Sequence, residues 1–268
     1  MIVTVGDATA SVSAEVAARS EERVAVRLPN LPDVLARRAV ASISDDVLAA
    51  DNRFFFTTSG QGPLSIGLIN GSPNTVAQRD ELYFLRPALA NLSTVQGERA
   101  RVRDVALSGL SAAQLAQLDV VILANVGLLP KGAHAALAQF VRTGGGLFIA
   151  AGDRLTVEAS QTYGELLPLP LRGIKGRDSG LNAQPLRLAK IDVSHPVMEP
   201  FGNIERASLF EARIDRFALL DGAPSSVQML ANLTGGAPAL VEKALGSGRV
   251  MFWSSSLDRD WTDVVVRT

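Results

Sequence analysis

Three polar segments that follow apolar runs are the first candidates for a functional site. The apolar runs end near residues 69, 124 and 151. The polar residues that follow them are Asn70 and Ser72, then Asn125, then Asp153 and Arg154. In open α/β sheets the ligand crevice lies beyond the carboxyl ends of the strands, so this placement predicts ligand binding. The same residue types also suit ordinary strand-to-helix turns, and that interpretation stays open.

A histidine at position 195 is the second candidate. His195 precedes Pro196 and lies four residues before Glu199, which invites comparison with a His–Glu pair that activates a nucleophile. Such a pair needs a nucleophile within hydrogen-bond reach. The position after the third apolar run holds Gly152 and Asp153 instead, and no Gly-x-Ser-x-Gly elbow follows any predicted strand. His195 is therefore either a ligand-binding residue or a turn histidine.

The segment 258–263 places three aspartates and a tryptophan within six residues. Asp258, Asp260 and Trp261 could frame a polar ligand or bind a cation, since carboxylate oxygens are the ligands that hard cations prefer. A calcium loop also needs backbone carbonyl ligands and a defined turn. The alternative is a capped turn in which Arg259 pairs with the acids and Trp261 packs on the core.

Composition excludes several classes of function. The chain has 268 residues with a formal net charge of −1, so no global field draws it to nucleic acid or to an anionic membrane. It has no cysteine and only two histidines, which excludes disulfides, thiolate metal sites and a cysteine nucleophile. We expect no catalytic residue, no metal site, no cofactor and no nucleic-acid partner.

The elements that must position these residues follow from the hydrophobic pattern. Residues 64–69, 118–125 and 147–151 are nearly continuous apolar runs, as expected of strands buried on both faces. Leucines at helical spacing from Leu82 to Leu92 predict a helix after the first run, and residues 131–142 predict another, closed by glycines 144–146. Ser111 is expected to cap a short helix. Alternating strands and helices predict a parallel, doubly wound sheet.

The two ends of the chain show shorter alternating segments. Segments 227–233, 239–244 and 249–254, separated by glycine-rich turns, predict strands at the sheet edge. Weaker signals predict strands at 185–191 and 213–219. Residues 1–58 alternate in short segments, among them 2–5, 23–28 and 39–43, and predict a small β-sandwich-like module. The predicted domains are thus 1–58 and 63–268, with a linker at 59–63.

An ordered series of motifs resembles a family of bacterial membrane proteins. The series is DVVILANV at 119–126, FVRTGGGL at 140–147, Gly152-Asp153, PALVE at 238–242, GSGRV at 246–250 and DRDWTD at 258–263. It is similar to the large BatA-type proteins, which carry a von Willebrand factor A domain and a class I glutamine-amidotransferase-like region between membrane helices. The resemblance covers residues from about 35 to 263.

The resemblance has implications for fold, location and partners. It implies an α/β fold with a flavodoxin-like, class I glutamine-amidotransferase-like parallel sheet, preceded by an immunoglobulin-like module. It also implies that the chain is an extracytoplasmic, periplasmic portion of a longer membrane-anchored protein, whose partners are other protein domains of the same envelope protein or complex. Since amidotransferase catalysis rests on a cysteine that this chain lacks, the resemblance extends to shape alone.

Three functional hypotheses follow. The first is a non-catalytic interaction or ligand-sensing module of a membrane-anchored envelope protein that binds at the crevice. The second is a hydrolase of a sugar or peptide that uses Asp153, His195 and the 258–263 cluster. The third is a structural spacer, which predicts no polar pocket at the strand ends.

Overall fold

The structure is a computed structural model that divides into two compact units, Met1–Pro63 and Leu64–Thr268. The residues that it describes are 1–5, 8–14, 16, 24, 26, 37–43, 52–58, 63–94, 100–176, 185–202, 206–222 and 224–267. Within them, no helix is both long enough and apolar enough to cross a membrane.

The smaller unit contains a four-stranded antiparallel sheet of order β2-β1-β3-β4. Its strands are β1 Ile2–Val5, β2 Ala8–Ser11, β3 Arg37–Ser42 and β4 Arg53–Thr58. Val3, Val5 and Ala39 form the centre of its apolar cluster. The predicted strand at 23–28 and the linker at 59–63 lie almost entirely outside the described residues. The described residues of this unit form a single sheet and show no second sheet of the predicted sandwich.

The larger unit contains an eight-stranded sheet and a separate two-stranded sheet. Its strands are β5 Leu64–Asn70, β6 Ala100–Asp104, β7 Val120–Ala124, β8 Gly146–Ala150, β9 Leu171–Gly176, β10 Leu188–Ile191, β11 Arg216–Leu220, β12 Val227–Leu233, β13 Pro238–Leu245 and β14 Gly248–Trp253. Its helices are α1 Leu85–Thr94, α2 Ala112–Leu115, α3 Lys131–Arg142, α4 Val157–Ser160 and α5 Arg206–Glu211.

One half of the large sheet is parallel. Strands β6, β5, β7, β8 and β14 are neighbours in that order, and every pair is parallel. The order reverses between β5 and β7, which is the position where open α/β sheets form a crevice. Apolar clusters on both faces, with Leu123 and Ile149 in one and Leu68 and Ile122 in the other, explain why these strands are apolar throughout.

The other half corrects the prediction of a parallel sheet. Strands β14, β13, β12 and β10 are antiparallel to one another, so the sheet is mixed. The reason is the length of the connections, because glycine turns at 235–236 and 246–248 close hairpins and cannot support a crossover. Gly235, Gly236 and Gly246 have positive φ angles, which those turns require.

Local sequence patterns predicted several elements of the structure correctly. Helix α3 has the predicted bounds, and Ser111 caps α2 by accepting a hydrogen bond from the backbone N–H of Gln114. The strand predicted at 213–219 is β11, but it pairs with β9 in the small sheet and not with the large one. Neither β6 nor β9 was predicted, because β6 is polar along most of its length and both strands contain few apolar residues.

Candidate functional site

A polar cavity of about 360 Å³ lies at the carboxyl ends of the parallel strands. Six of the predicted site residues line it: Ser72, Asn125, Asp153, Asp258, Asp260 and Trp261. Five further residues that the sequence did not single out line it as well: Asn74, Arg79, Glu81, Arg216 and Ser256. The crevice rule therefore located the cavity, and the third hypothesis, a spacer without a polar pocket, is wrong.

The strand ends are joined by backbone hydrogen bonds that continue the sheet into the loops. The N–H of Gly71 donates to the carbonyl of Ala124 at 2.8 Å, and the N–H of Asn125 donates to the carbonyl of Ala150 at 3.1 Å. The N–H of Ala151 donates to the carbonyl of Trp253 at 3.0 Å. The loops after β5, β7, β8 and β14 are thus fixed side by side, and their side chains converge on one cavity.

Asn125 has an unusual backbone conformation at the centre of these loops. Its φ angle is 49°, and it is the one non-glycine residue with positive φ among those the structure describes. Two glycines make room for it: a Cβ at Gly152 would lie 2.1 Å from Asn125 Cγ, and one at Gly71 would lie 2.0 Å from its carbonyl oxygen. A left-handed conformation at a non-glycine residue is uncommon and occurs preferentially at functional sites.

The side chain of Asn125 links three loops. Its Nδ2 donates to Glu81 Oε1 and to Asp153 Oδ1, each at 2.7 Å, so both amide hydrogens are used. Its Oδ1 accepts from the backbone N–H of Arg154 at 2.9 Å. The amide therefore holds two carboxyl groups in place beneath the cavity.

Glu81 is the most perturbed acid of the cavity. Its residue is only 2% exposed, and its Oε2 accepts from the backbone N–H of Leu257 at 3.3 Å. Burial, reinforced by the nearby charge of Asp258, raises the pKa of Glu81 to about 8 although the hydrogen bond from Asn125 opposes the shift. Glu81 is therefore mostly protonated at neutral pH, and a protonated carboxyl can donate as well as accept.

The loop after β14 supplies the opposite wall. Asp258 Oδ1 accepts from Ser256 Oγ at 2.6 Å and from the backbone N–H of Asp260 at 3.0 Å, and burial raises the pKa of Asp258 despite these bonds. Trp261 is buried in the main apolar cluster, as the capped-turn alternative predicted. Asp260 pairs with Arg79 at 3.8 Å rather than with Arg259.

Two predicted residues stand beside the cavity and not in it. Asn70 donates from Nδ2 to Asp80 at 2.9 Å and accepts from the N–H of Ser72 at 3.0 Å, so it shapes the loop after β5. Arg154 donates to the carbonyl of Gly71 at 2.7 Å and lines a separate, mainly apolar groove. Both residues position the loops that form the cavity.

His195 lies elsewhere, against the antiparallel half of the sheet. Its Nε2 is 3.5 Å from Glu242 Oε2 on β13, and its Nδ1 accepts from the backbone N–H of Val197 at 3.3 Å. Glu242 also pairs with Arg249. The structure brings Asp153 and Asp258 to one cavity but does not bring His195 there, so the triad of the hydrolase hypothesis is not assembled.

Sequence reasoning missed Glu81 because no local pattern marks it. Glu81 follows a 3₁₀ turn, Ala77–Arg79, and precedes α1, where an acidic residue is an ordinary feature of a helix start. Its partners are 44 and 176 residues away along the chain. Only the position of Glu81 opposite Asn125 in the folded chain identifies it.

The described residues that line the cavity are polar and include no cysteine. They contain no group of three or more acidic or imidazole side chains arranged to hold a metal ion. The cavity offers carboxyl, amide, hydroxyl and guanidinium groups and no cysteine, since the chain has none. Such a lining recognises a polar molecule through several hydrogen bonds.

The fold and the cavity define an α/β domain with a polar cavity at the carboxyl ends of its parallel strands. No protein-family model and no curated protein matches the chain. Among solved structures, a cytoplasmic protein from Salmonella typhimurium LT2 is similar at 17% identity, with 74% of this chain and 90% of that chain covered and a TM-score of 0.55. A protein from Bacteroides uniformis described as ThuA-like is similar at 15% identity, with 74% and 85% covered and a TM-score of 0.54. Identities this low show a shared fold and nothing further.

The expected extracytoplasmic location is contradicted. A second Salmonella typhimurium protein matches at 14% identity over 74% of this chain and 89% of its own length, with a TM-score of 0.55, and it too is described as cytoplasmic. Both Salmonella proteins are described as cytoplasmic, which disagrees with a periplasmic, membrane-anchored module. The resemblance to BatA-type proteins and the expected protein-domain partners stay predictions.

Proposed function

We propose that the larger unit is a non-catalytic module that binds a small polar ligand in the Glu81 cavity. The observation that carries this proposal is the floor of the cavity, where Glu81, Asp153 and Asp258 converge. No described lysine, arginine or histidine lies within 4.0 Å of any of these three carboxyl groups. Burial of Glu81 and Asp258 without a cation destabilises a fold, so the arrangement favours a functional role over a structural one.

The lack of a cysteine supports binding rather than amidotransferase catalysis. The position after β8, where an amidotransferase would carry its cysteine, holds Gly152 and Asp153. Asp153 Oδ1 accepts a hydrogen bond from the Asn125 amide, which holds this carboxyl group in place. The serines of the lining, Ser72 and Ser256, have no histidine beside them among the described residues.

One observation favours a second candidate, a hydrolase that acts through acid–base chemistry without a covalent nucleophile. Glu81 is held protonated beside Asp153 and Asp258, and acid–base enzymes often pair one protonated and one ionised carboxyl. In that case Glu81 would serve as the general acid. His195 has no part in this alternative.

Ligand binding can be tested with the purified chain by differential scanning fluorimetry and isothermal titration calorimetry. The probes are glucose, glucuronate, glucose 6-phosphate, glucosamine, glutamine and glycerol. We expect at least one probe to raise the melting temperature of the native protein, and we expect Asp258→Asn to abolish that rise. If every probe leaves the melting temperature unchanged at millimolar concentration, the proposed function is wrong.

Catalysis can be separated from binding with the same material. Nitrophenyl glycosides, glutamine and small peptides are incubated with the native protein and with Glu81→Gln. We expect no turnover above the uncatalysed rate. Turnover that Glu81→Gln removes while leaving ligand binding intact would establish the hydrolase instead.

A further inference from the structure

We propose that the ligand of the Glu81 cavity is a small polyhydroxylated molecule with one anionic group, such as a uronate or a sugar phosphate. This inference rests on the proposed function and adds the class of ligand to it. It follows from the positions of the hydrogen-bond donors and acceptors of the cavity that have no partner among the described residues.

The floor of the cavity offers mainly acceptors. Asn125 uses both amide hydrogens on Glu81 and Asp153, and Ser256 Oγ donates to Asp258. No other described residue donates to Asp153 Oδ2 or to Asp258 Oδ2. These oxygens require donors from the ligand, because acceptors left unpaired on binding weaken the complex.

Hydroxyl groups fit this floor better than an ammonium group does. Burial keeps Glu81 mostly protonated at neutral pH, so the floor offers a donor at Glu81 as well as the acceptor oxygens of Asp153 and Asp258. A hydroxyl group both donates and accepts, and two or more hydroxyls can serve the donor and the acceptors together. An ammonium group only donates, so it can pair with the acceptors but not with the donor.

Two arginines, Arg79 and Arg216, are among the residues that line the cavity. Arg79 pairs with Asp260 at 3.8 Å, and both side chains are more than half exposed. In the described part of the chain, no acidic oxygen lies within 4.0 Å of an Arg216 nitrogen. Guanidinium groups bind carboxylates and phosphates by paired hydrogen bonds, so Arg216 is available to an anionic group of the ligand.

The backbone of Arg216 is fixed to the loop that forms the opposite wall. Its N–H donates to the carbonyl of Trp261 at 3.2 Å, and its carbonyl accepts from Ser255 Oγ at 2.9 Å. The guanidinium is therefore carried by a backbone that the Asp258 loop holds in place. The cavity thus presents hydroxyl-binding groups and an anion-binding group on connected segments.

The size of the cavity agrees with this class of ligand. A volume of about 360 Å³ stands near the lower end of the range of roughly 300–1,000 Å³ for small-molecule sites. A single sugar ring with one charged substituent suits such a volume, whereas a long oligosaccharide does not. The ligand class is therefore a monomeric, anionic polyol.

Calorimetry with matched sugars tests the inference. The probes are glucose, glucosamine, glucuronate and glucose 6-phosphate, measured on the native protein, on Arg216→Gln and on Arg259→Gln. Arg259 is an exposed arginine of the Asp258 loop that does not line the cavity, so Arg259→Gln is the matched control. We expect glucuronate or glucose 6-phosphate to bind at least tenfold more tightly than glucose, and the tighter of the two identifies the anion as carboxylate or phosphate.

The variants decide whether the proposed contacts are responsible. Arg216→Gln should reduce the preference for the anionic sugar to less than threefold, whereas Arg259→Gln should leave it unchanged. Tighter binding of glucosamine than of either anionic sugar would overturn the ligand class while leaving the proposed function intact. An anionic preference that survives in Arg216→Gln would overturn the assignment of the anionic group to Arg216. Absence of binding by all four sugars would overturn the ligand class, and the function itself is overturned only if glutamine and glycerol also fail to bind.

Discussion

Two buried glutamates of the larger unit differ in whether a cation lies beside the carboxyl group. Glu81 and Glu242 are 2% and 3% exposed. Glu242 is paired with Arg249 and has His195 Nε2 at 3.5 Å, so its charge is compensated. Glu81 has hydrogen bonds from an amide and a backbone N–H, with no cation beside it in the described structure.

The difference separates an acid that is part of the sheet from the acid that we propose binds the ligand. Glu242 lies within strand β13, its ion pair with Arg249 joins β13 to β14, and His195 Nε2 lies 3.5 Å from its Oε2. Glu81 lies at the end of the strands, opens on a cavity, and keeps its proton to about pH 8. Burial is common to both acids, so burial alone does not identify the site; the missing cation does.

The largest expected effect is on the pH dependence of stability through Glu81. Its pKa rises from 4.5 in the unfolded chain to about 8 in the folded protein, so the folded state binds more protons between these values. The free energy of unfolding therefore falls as pH rises from about 4.5 to about 8. Glu81→Gln should remove this loss and be more stable than the native protein by up to about 5 kcal/mol at pH 9, measured by urea denaturation.

Glu242→Gln is the matched control for that experiment. Because Glu242 is compensated by Arg249, the same substitution should lower the free energy of unfolding at pH 7 rather than raise it. If both glutamine variants change stability in the same direction, the contrast between the two acids is wrong.

The second largest effect on the free energy of unfolding is expected when the cation beside Glu242 is removed. Arg249→Ala should lower the free energy of unfolding by about 3 kcal/mol, since removal of one partner leaves a buried charge without compensation. Arg86→Ala, which removes an exposed ion pair with Asp104, should cost less than about 1 kcal/mol and serves as the control. Equal effects of the two substitutions in chemical denaturation would contradict the structural role of Glu242.

The third largest effect on stability is expected from replacement of Asn125, whose amide holds the floor of the cavity. Asn125→Ala removes hydrogen bonds to Glu81, Asp153 and the Arg154 N–H, and it leaves a residue with a Cβ at positive φ. We expect a loss of about 2 kcal/mol in the free energy of unfolding, together with loss of ligand binding. Asn125→Gly relieves the backbone strain, so it should be more stable than Asn125→Ala but equally unable to bind. Ligand affinity that survives in both variants would show that Asn125 does not organise the floor.

The smallest effect on stability is expected at Asp153. Its residue is exposed, and Asp153→Asn keeps the size of the side chain, so the free energy of unfolding should change by less than about 0.5 kcal/mol. Ligand affinity should nevertheless fall at least tenfold, because the amide replaces a carboxylate acceptor. A variant of normal stability and unchanged affinity would remove Asp153 from the site.

Much of the fold could be predicted because its signals are local. The apolar runs at β5, β7 and β8, the amphipathic pattern of α3 and the Ser111 cap each depend on neighbouring residues. The antiparallel direction of β12 and β13 follows from the short glycine turns at 235–236 and 246–248, which the prediction of a parallel sheet did not take into account. Polar strand β6 lacked a signal because it lies at the edge of the sheet.

The sequence by itself determined that polar residues follow the parallel strands, and that no cysteine is available to act there. The rule for strand carboxyl ends therefore placed Ser72, Asn125 and Asp153 at one cavity. Only the tertiary structure decided that Glu81 completes the floor and that His195 pairs with Glu242. The physical reason is that burial and charge compensation arise from residues distant in the chain, and these two quantities set both the pKa and the role of an acid.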